Sequence, residues 1–160
     1  MPGRCRRLRG NSVTVSCFVD ADLAGNVVTR RSHADILTSL NNALISWFSK
    51  KQNTVECFTF GSEFVASRIA VEQLEALRCK LIDGPASVRC DNQSVVDSSS
   101  LPQRALQKKH NAARFHKVRE AAALLGIGVA KIDGAENLAG ALTKILATVA
   151  RKKLLGSLCH

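Results

Sequence analysis

Apolar and polar residues change period several times along this chain, and each change marks an element. Residues 13–19 are rich in β-branched and apolar side chains and predict a strand that ends at Asp20. Leu23-Ala24-Gly25-Asn26 is a turn signal. Two more strands are expected within 27–40 and 43–49, joined through Asn41-Asn42, so the first three strands read as an antiparallel meander. From residue 59 to about 81 the period becomes helical, with Val65, Ile69, Leu74, Leu77 and Leu81 recurring and Thr59 as the expected N-cap. Gly84-Pro85 ends that segment, 87–90 predict a short strand running into Asp91, and a helix follows over about 92–98. Beyond the polar break Ser98-Ser99-Ser100-Leu101-Pro102, a longer helix is expected over about 103–125. Phe115, Val118, Ala122 and Leu125 share one of its faces, and Gly126 sits at C′. Residues 127–132 form the last predicted strand, and Leu138, Leu142, Ile145 and Val149 mark a final helix. The order βββαβααβα predicts an α/β fold, a mixed sheet with helices packed on it.

Length and composition narrow this picture. A chain of 160 residues, 46% apolar, can build one domain with a substantial core. That domain is expected over 12–155, between a basic tail at 1–11 and a short tail at 156–160. No apolar run approaches the ~20 residues of a membrane span. The basic N-terminus leads into no apolar stretch, so a secreted or membrane-bound protein is not expected. Six dispersed cysteines without a CxxC pair point to free thiols in a reducing cytoplasmic or nuclear compartment, and away from zinc. With 23 Lys plus Arg against 13 Asp plus Glu, the net charge of +10 favours a polyanionic partner. Arg4, Arg6, Arg7 and Arg9, then Arg30-Arg31, Lys50-Lys51, Lys108-Lys109 and Arg151-Lys152-Lys153, are candidate phosphate contacts.

The candidate chemistry lies in three carboxylates. Asp20 and Asp91 each end a predicted strand, and Glu63 is expected in the first turn of its helix, near the positive end of the dipole. Asp22, two residues beyond Asp20, leaves the same strand face. If the strands bearing Asp20 and Asp91 are neighbours, Asp20, Glu63 and Asp91 share a site. An oxygen-only donor set favours Mg²⁺ or Mn²⁺, and two such ions serve phosphodiester hydrolysis. By position alone, an Asp at a strand end is more often a turn former or helix cap than a metal ligand. Glu72, nine residues beyond Glu63, falls on the opposite helix face and reads as a solvated charge. His110 and His116 are six apart and share no helix face, so a surface role is expected, with phosphate contact or proton transfer as the alternatives. Ser16, Ser62 and Cys57 have no evident base partner, and Gly25, Gly61 and Gly84 are isolated, so neither a nucleophile nor a phosphate loop is indicated.

Six segments together resemble the ribonuclease H domain of copia-type LTR retrotransposon Pol polyproteins. They are VDADLAGN (19–26), RRSHADI (30–36), ISWFSKKQNTVECFTFGSEFVA (45–66), VRCDNQSVV (88–96), KKHNAARFHKVRE (108–120) and NLAGALTK (137–144). The resemblance implies a ribonuclease H-like fold: a five-stranded mixed sheet, three antiparallel strands plus two further strands, with flanking helices. It implies Asp20, Glu63 and Asp91 as catalytic metal ligands, with Asp22 as a second-tier candidate and two Mg²⁺ or Mn²⁺ ions as cofactors. The implied reaction is hydrolysis of the RNA strand of an RNA–DNA hybrid, leaving 3′-hydroxyl and 5′-phosphate ends. Asn92, Gln93, Lys108, Lys109, His110, Arg114, His116 and Arg119 are the implied substrate contacts. A reverse transcriptase domain of the same polyprotein is an implied partner, and a monomer is expected.

The chain departs from that pattern at several places. Gly140 stands where the last motif carries an aspartate, Leu23 where tryptophan is common, and Ala34-Asp35 where Thr-Gly is usual. The connector over 81–86 is short. With Asn137 as N-cap, Gly140 would be the third helical residue, and its lack of a carboxylate predicts a weakly held second ion and slow cleavage. A basic hybrid-binding module without activity, or a decayed retroelement fragment, is the alternative.

Overall fold

The computed structural model describes residues 8–9, 13–80, 82–83, 85–100, 112–144, 148–149, 152 and 156. Five strands form one sheet. In chain order they are β1 (Val15–Asp22), β2 (His33–Leu40), β3 (Ala43–Lys51), β4 (Ala86–Cys90) and β5 (Ile127–Lys131). Their spatial order is β3-β2-β1-β4-β5. The first three are antiparallel neighbours, whereas β4 and β5 run parallel to β1 on its other side. A separate two-residue ladder pairs Leu8–Arg9 with Ile82–Asp83. The helices are α1 (Thr59–Lys80), α2 (Gln93–Ser100), α3 (Ala112–Leu125) and a single turn, α4 (Gly140–Thr143).

Alternation along β1 sorts its side chains. Val15, Cys17, Val19 and Ala21 join the main core with Phe64, Val71 and Leu74 of α1 and Phe115 and Val118 of α3. Phe64 is fully buried, its ring 5.5 Å from Phe60 and 6.1 Å from Phe115. Burial on that scale stabilises by roughly 2–3 kcal/mol per large side chain. On the opposite sheet face, the register partners Phe18 and Leu37 are covered by Leu138 and Ala139. The chain leading into α4 is thereby held over β1 and β2.

Several boundaries differ from expectation. Asp20 lies inside β1, not at its end, because His33 to Asp35 continue the ladder out to Asp22. The second strand begins at His33. Residues 27–29 form a turn instead, in which Asn26 Oδ1 accepts from the Thr29 amide and hydroxyl at 2.8 Å. Val27 and Val28 are consequently exposed. The Asn41-Asn42 turn holds, both residues at positive φ as a two-residue hairpin requires. At the start of α1 the Phe58 carbonyl accepts from the Gly61 and Ser62 amides, so Phe58 takes the cap position expected of Thr59. Glu63 therefore lies beyond the first turn, which holds no acidic residue, and the dipole argument for it falls away. Gly61 lets the Glu56 carboxylate approach closely: a Cβ would lie 2.5 Å from Glu56 Oε2, so a larger residue there would displace that side chain. The expected helix over 103–125 is described from Ala112, its earlier part lying outside the described residues.

Candidate metal centre and nucleic-acid interface

β1 and β4 are parallel neighbours, and Val19 registers with Cys90. The residues that follow, Asp20 and Asp91, therefore sit side by side at the same level of the sheet. Glu63 reaches them from α1, and its Oε1 accepts from the Ala21 amide at 3.3 Å. Asp20, Glu63 and Asp91 each offer an oxygen within 4.8 Å of the other two. Asp20 is 1% exposed and Glu63 3%.

Burial pushes the Glu63 carboxyl up to about 8, and the charges of Asp20 and Asp91 add to the shift. Its Oε2 is buried without a hydrogen-bond partner. The Lys144 ammonium bridges the other two, 3.1 Å from Asp20 Oδ2 and 3.3 Å from Asp91 Oδ2. Partial burial pulls the Lys144 pKa down, but the Asp20 charge, the hydrogen bond to Asp20 and the Asp91 charge together raise it. The Thr143 hydroxyl also donates to Asp20. Three converging carboxylates, one orphaned oxygen and a cation supplied by the chain itself form a place built for positive charge. All-oxygen donors fit a hard divalent ion.

The surrounding groove, about 520 Å³, is lined by Asp20, Glu63, Asp91, Asn92, Gln93, Ser94, Lys131 and Lys144, among others. Asn92 Oδ1 caps α2, accepting from the Ser94 amide at 3.0 Å and the Val95 amide at 3.4 Å. Gln93 Nε2 donates to Asp97 Oδ1 at 2.7 Å. Both line the groove with amides partly engaged within α2. His116 and Arg119 line a different cleft, with Ser99, Ser100 and Gly128, so they do not join the carboxylates. Arg119 lies over the Phe115 ring at 4.9 Å. Lys108, Lys109 and His110, like the Arg114 side chain, lie outside what the structure describes. Asp22 does not join the trio: its carboxylate accepts from the His33 amide and lies 3.6 Å from His33 Nδ1. Glu72 forms an ion pair with Arg68 one helical turn away, as suits a surface charge.

Gly140 opens α4, and a Cβ there would lie 3.4 Å from Asp20 Oδ2. It is the first helical residue, not the third, because Asn137 closes a tighter turn. Its Oδ1 accepts from the Ala139 amide at 3.2 Å, and its Nδ2 donates to the Val19 carbonyl at 2.8 Å. Sequence reasoning missed Asn137 as a tie to β1, and it missed Thr143 and Lys144. Their signal was the LTK that follows Gly140. It also took Asp35 only as a departure from a pattern. Asp35 is 1% exposed and directly opposite Asp20 in the ladder. Burial raises its pKa; a hydrogen bond from Ser49 works against this, and the charges of Asp20 and Asp22 add to it.

No family model matches the chain. It is 30% identical over 149 residues to the retrovirus-related Pol polyprotein from transposon TNT 1-94 of Nicotiana tabacum, an overlap covering 90% of this chain and 11% of that one. LC11-RNase H1, isolated from compost, superposes with a TM-score of 0.65 at 18% identity, over 91% of this chain and 99% of its own. The chain has the ribonuclease H fold and is a relative of retrotransposon Pol polyproteins. The same compost enzyme in complex with RNA/DNA hybrid matches with a TM-score of 0.61 at 16% identity, over 78% and 88% of the two chains. The prototype foamy virus protease-reverse transcriptase matches with a TM-score of 0.54 at 11% identity, over 94% of this chain and 21% of that one. The chain spans about a tenth of the length of the Pol polyproteins it matches. The ribonuclease H fold accounts for the expected order of elements: a five-stranded mixed sheet flanked by helices, with the acidic trio at the junction of β1, β4 and α1. Among the described residues no helix is long and apolar enough to cross a membrane.

Proposed function

We propose that this domain hydrolyses the RNA strand of RNA–DNA hybrids with a divalent metal, Mg²⁺ or Mn²⁺, and that Gly140 makes it a slow enzyme. The convergence of Asp20, Glu63 and Asp91 carries this reading. When bound, the metal supplies Lewis acidity and lowers the pKa of water at the scissile phosphate. The protein's own residues do the rest. Asp20 and Asp91 present anionic oxygens, while Glu63 must release its proton before it can ligate. Lys144 must leave its bridge between the two aspartates, and it is then free to meet a phosphate oxygen. Lys131 and Lys144 add positive charge along the groove, which suits a nucleic-acid backbone. A mixed duplex is read by backbone shape and 2′-hydroxyls, so the shortage of aromatic side chains is no obstacle. A reverse transcriptase domain on the same polyprotein is the partner proposed for it, in line with the foamy virus likeness.

The test is release of labelled RNA from an RNA–DNA hybrid in Mg²⁺ or Mn²⁺, with Asp20→Asn and chelator as controls. The parent should cut, and both controls should abolish cutting. Equal cutting by Asp20→Asn sinks the assignment. The second reading, a hybrid-binding domain without activity, draws on Gly140 and on the Lys144 bridge. Hybrid binding that falls as salt rises, with no cleavage by the parent, would favour it.

A further inference from the structure

Asp35 lies outside the trio of converging oxygens, yet its surroundings call for a cation. It is the direct ladder partner of Asp20 across β1 and β2, on the sheet face that also carries Phe18 and Leu37. Side chains directly opposed on such a pair have Cβ atoms about 4.5–5.5 Å apart, and like charges placed so destabilise the sheet. Asp20 and Asp35 are each 1% exposed, so water cannot relieve them. Ser49, opposite Asp35 on β3, hydrogen-bonds one side of its carboxylate. The other oxygen, Oδ1, is buried without a partner, as is Oε2 of Glu63. An orphaned carboxylate oxygen in the interior is costly unless a cation or donor satisfies it. Lys144 reaches Asp20 and Asp91. Position 140, which abuts Asp20 from the α4 side, has no side chain to offer.

We propose that Asp35 supplies the fourth carboxylate of the divalent-cation site, from the strand beside Asp20, in place of the one that Gly140 cannot supply. The inference rests on the metal site proposed above. It assigns the chain a rearranged ligand set: Asp20 and Asp35 from the sheet, Asp91 from just beyond β4 and Glu63 from α1. The departure at position 35 then offsets only part of what the departure at position 140 removes.

Mn²⁺ binding to the intact chain tests this without any nuclease assay. Affinity is read by calorimetry and bound ion by electron paramagnetic resonance, for the parent, Asp35→Asn, Asp35→Ser, Asp20→Asn and Asp35→Asn combined with Gly140→Asp. Two substitutions at position 35 are used so that a folding defect in one leaves the other informative. Both should weaken Mn²⁺ roughly tenfold or more, the scale of losing a group that organises a metal site. Asn still accepts from Ser49, so a purely structural Asp35 would leave Mn²⁺ affinity unchanged in Asp35→Asn. Melting temperatures in chelator should hold or rise in Asp35→Asn, since a buried like charge is gone. Gly140→Asp should recover the lost affinity. Parent-like affinity in both position-35 variants, or no recovery with Gly140→Asp, overturns the proposal while leaving the trio intact. A parent that binds no Mn²⁺, or an Asp20→Asn that binds it equally well, defeats the metal site itself and this proposal with it.

Discussion

Asn137 Nδ2 donates to the Val19 carbonyl at 2.8 Å, tying the turn before α4 to the strand residue next to Asp20. The amide is fully buried and also accepts from the Ala139 backbone. Asn137→Ala strips partners from both groups, and its expected cost is about 1–3 kcal/mol, the range for leaving a buried polar group unsatisfied. Urea unfolding checks this. The same variant should weaken Mn²⁺ binding, because Gly140, Thr143 and Lys144 hang on that turn.

Lys144 is the internal counter-ion of the site. Lys144→Met should destabilise the metal-free protein by only about 1 kcal/mol, since the side chain is 45% exposed and its ion pairs are screened. Mn²⁺ should bind more tightly to the variant, because no ammonium then competes for Asp20 and Asp91. Calorimetric titration decides: weaker binding would mean that Lys144 supports the ion and does not compete with it.

Gly140→Asp should raise metal-dependent cleavage of a hybrid by roughly tenfold, on the scale by which ligand-shell groups change metal sites. A Cβ at 140 meets Asp20 Oδ2 at 3.4 Å, so the new carboxylate would enter the existing cluster. The same closeness should lower the melting temperature in chelator. Unchanged cleavage and unchanged melting together would show that position 140 does not face the site.

The raised pKa of Glu63 links stability to pH. With a folded-state value of about 8 against the ordinary 4.5, the native state holds a proton that the unfolded chain releases between these two values. That contribution is complete below pH 4.5 and lost as pH rises to about 8. Melting temperature in chelator should therefore fall across this window, and Glu63→Gln should flatten the fall. Mn²⁺ affinity should rise over the same range, since ligation requires the carboxylate. A pH-independent melting temperature in the parent would mean that Glu63 ionises freely.

Much of this was legible in the chain because it depends on neighbours in sequence. A run of β-branched and apolar residues marked the first strand, a helical period marked α1, and the Asn41-Asn42 pair, both at positive φ, marked the hairpin turn. The positions of Asp20 and Asp91 at the C-terminal side of apolar runs, and of Glu63 near the start of a helical one, only allowed the trio; the resemblance carried by the six segments singled it out. The extent of β1 was not, since its last residues are strand only by pairing with His33 to Asp35.

What the sequence determined by itself was the order of elements, the basic charge and the three carboxylates able to converge. What only the tertiary structure decided was how those carboxylates are used. His33 draws Asp22 aside, Lys144 reaches back across 124 positions to Asp20, and Asp35 is set opposite Asp20. Burial, which no local pattern states, holds the proton on Glu63. Each depends on which distant groups share a low-dielectric space, and that is a property of packing, not of any stretch of chain.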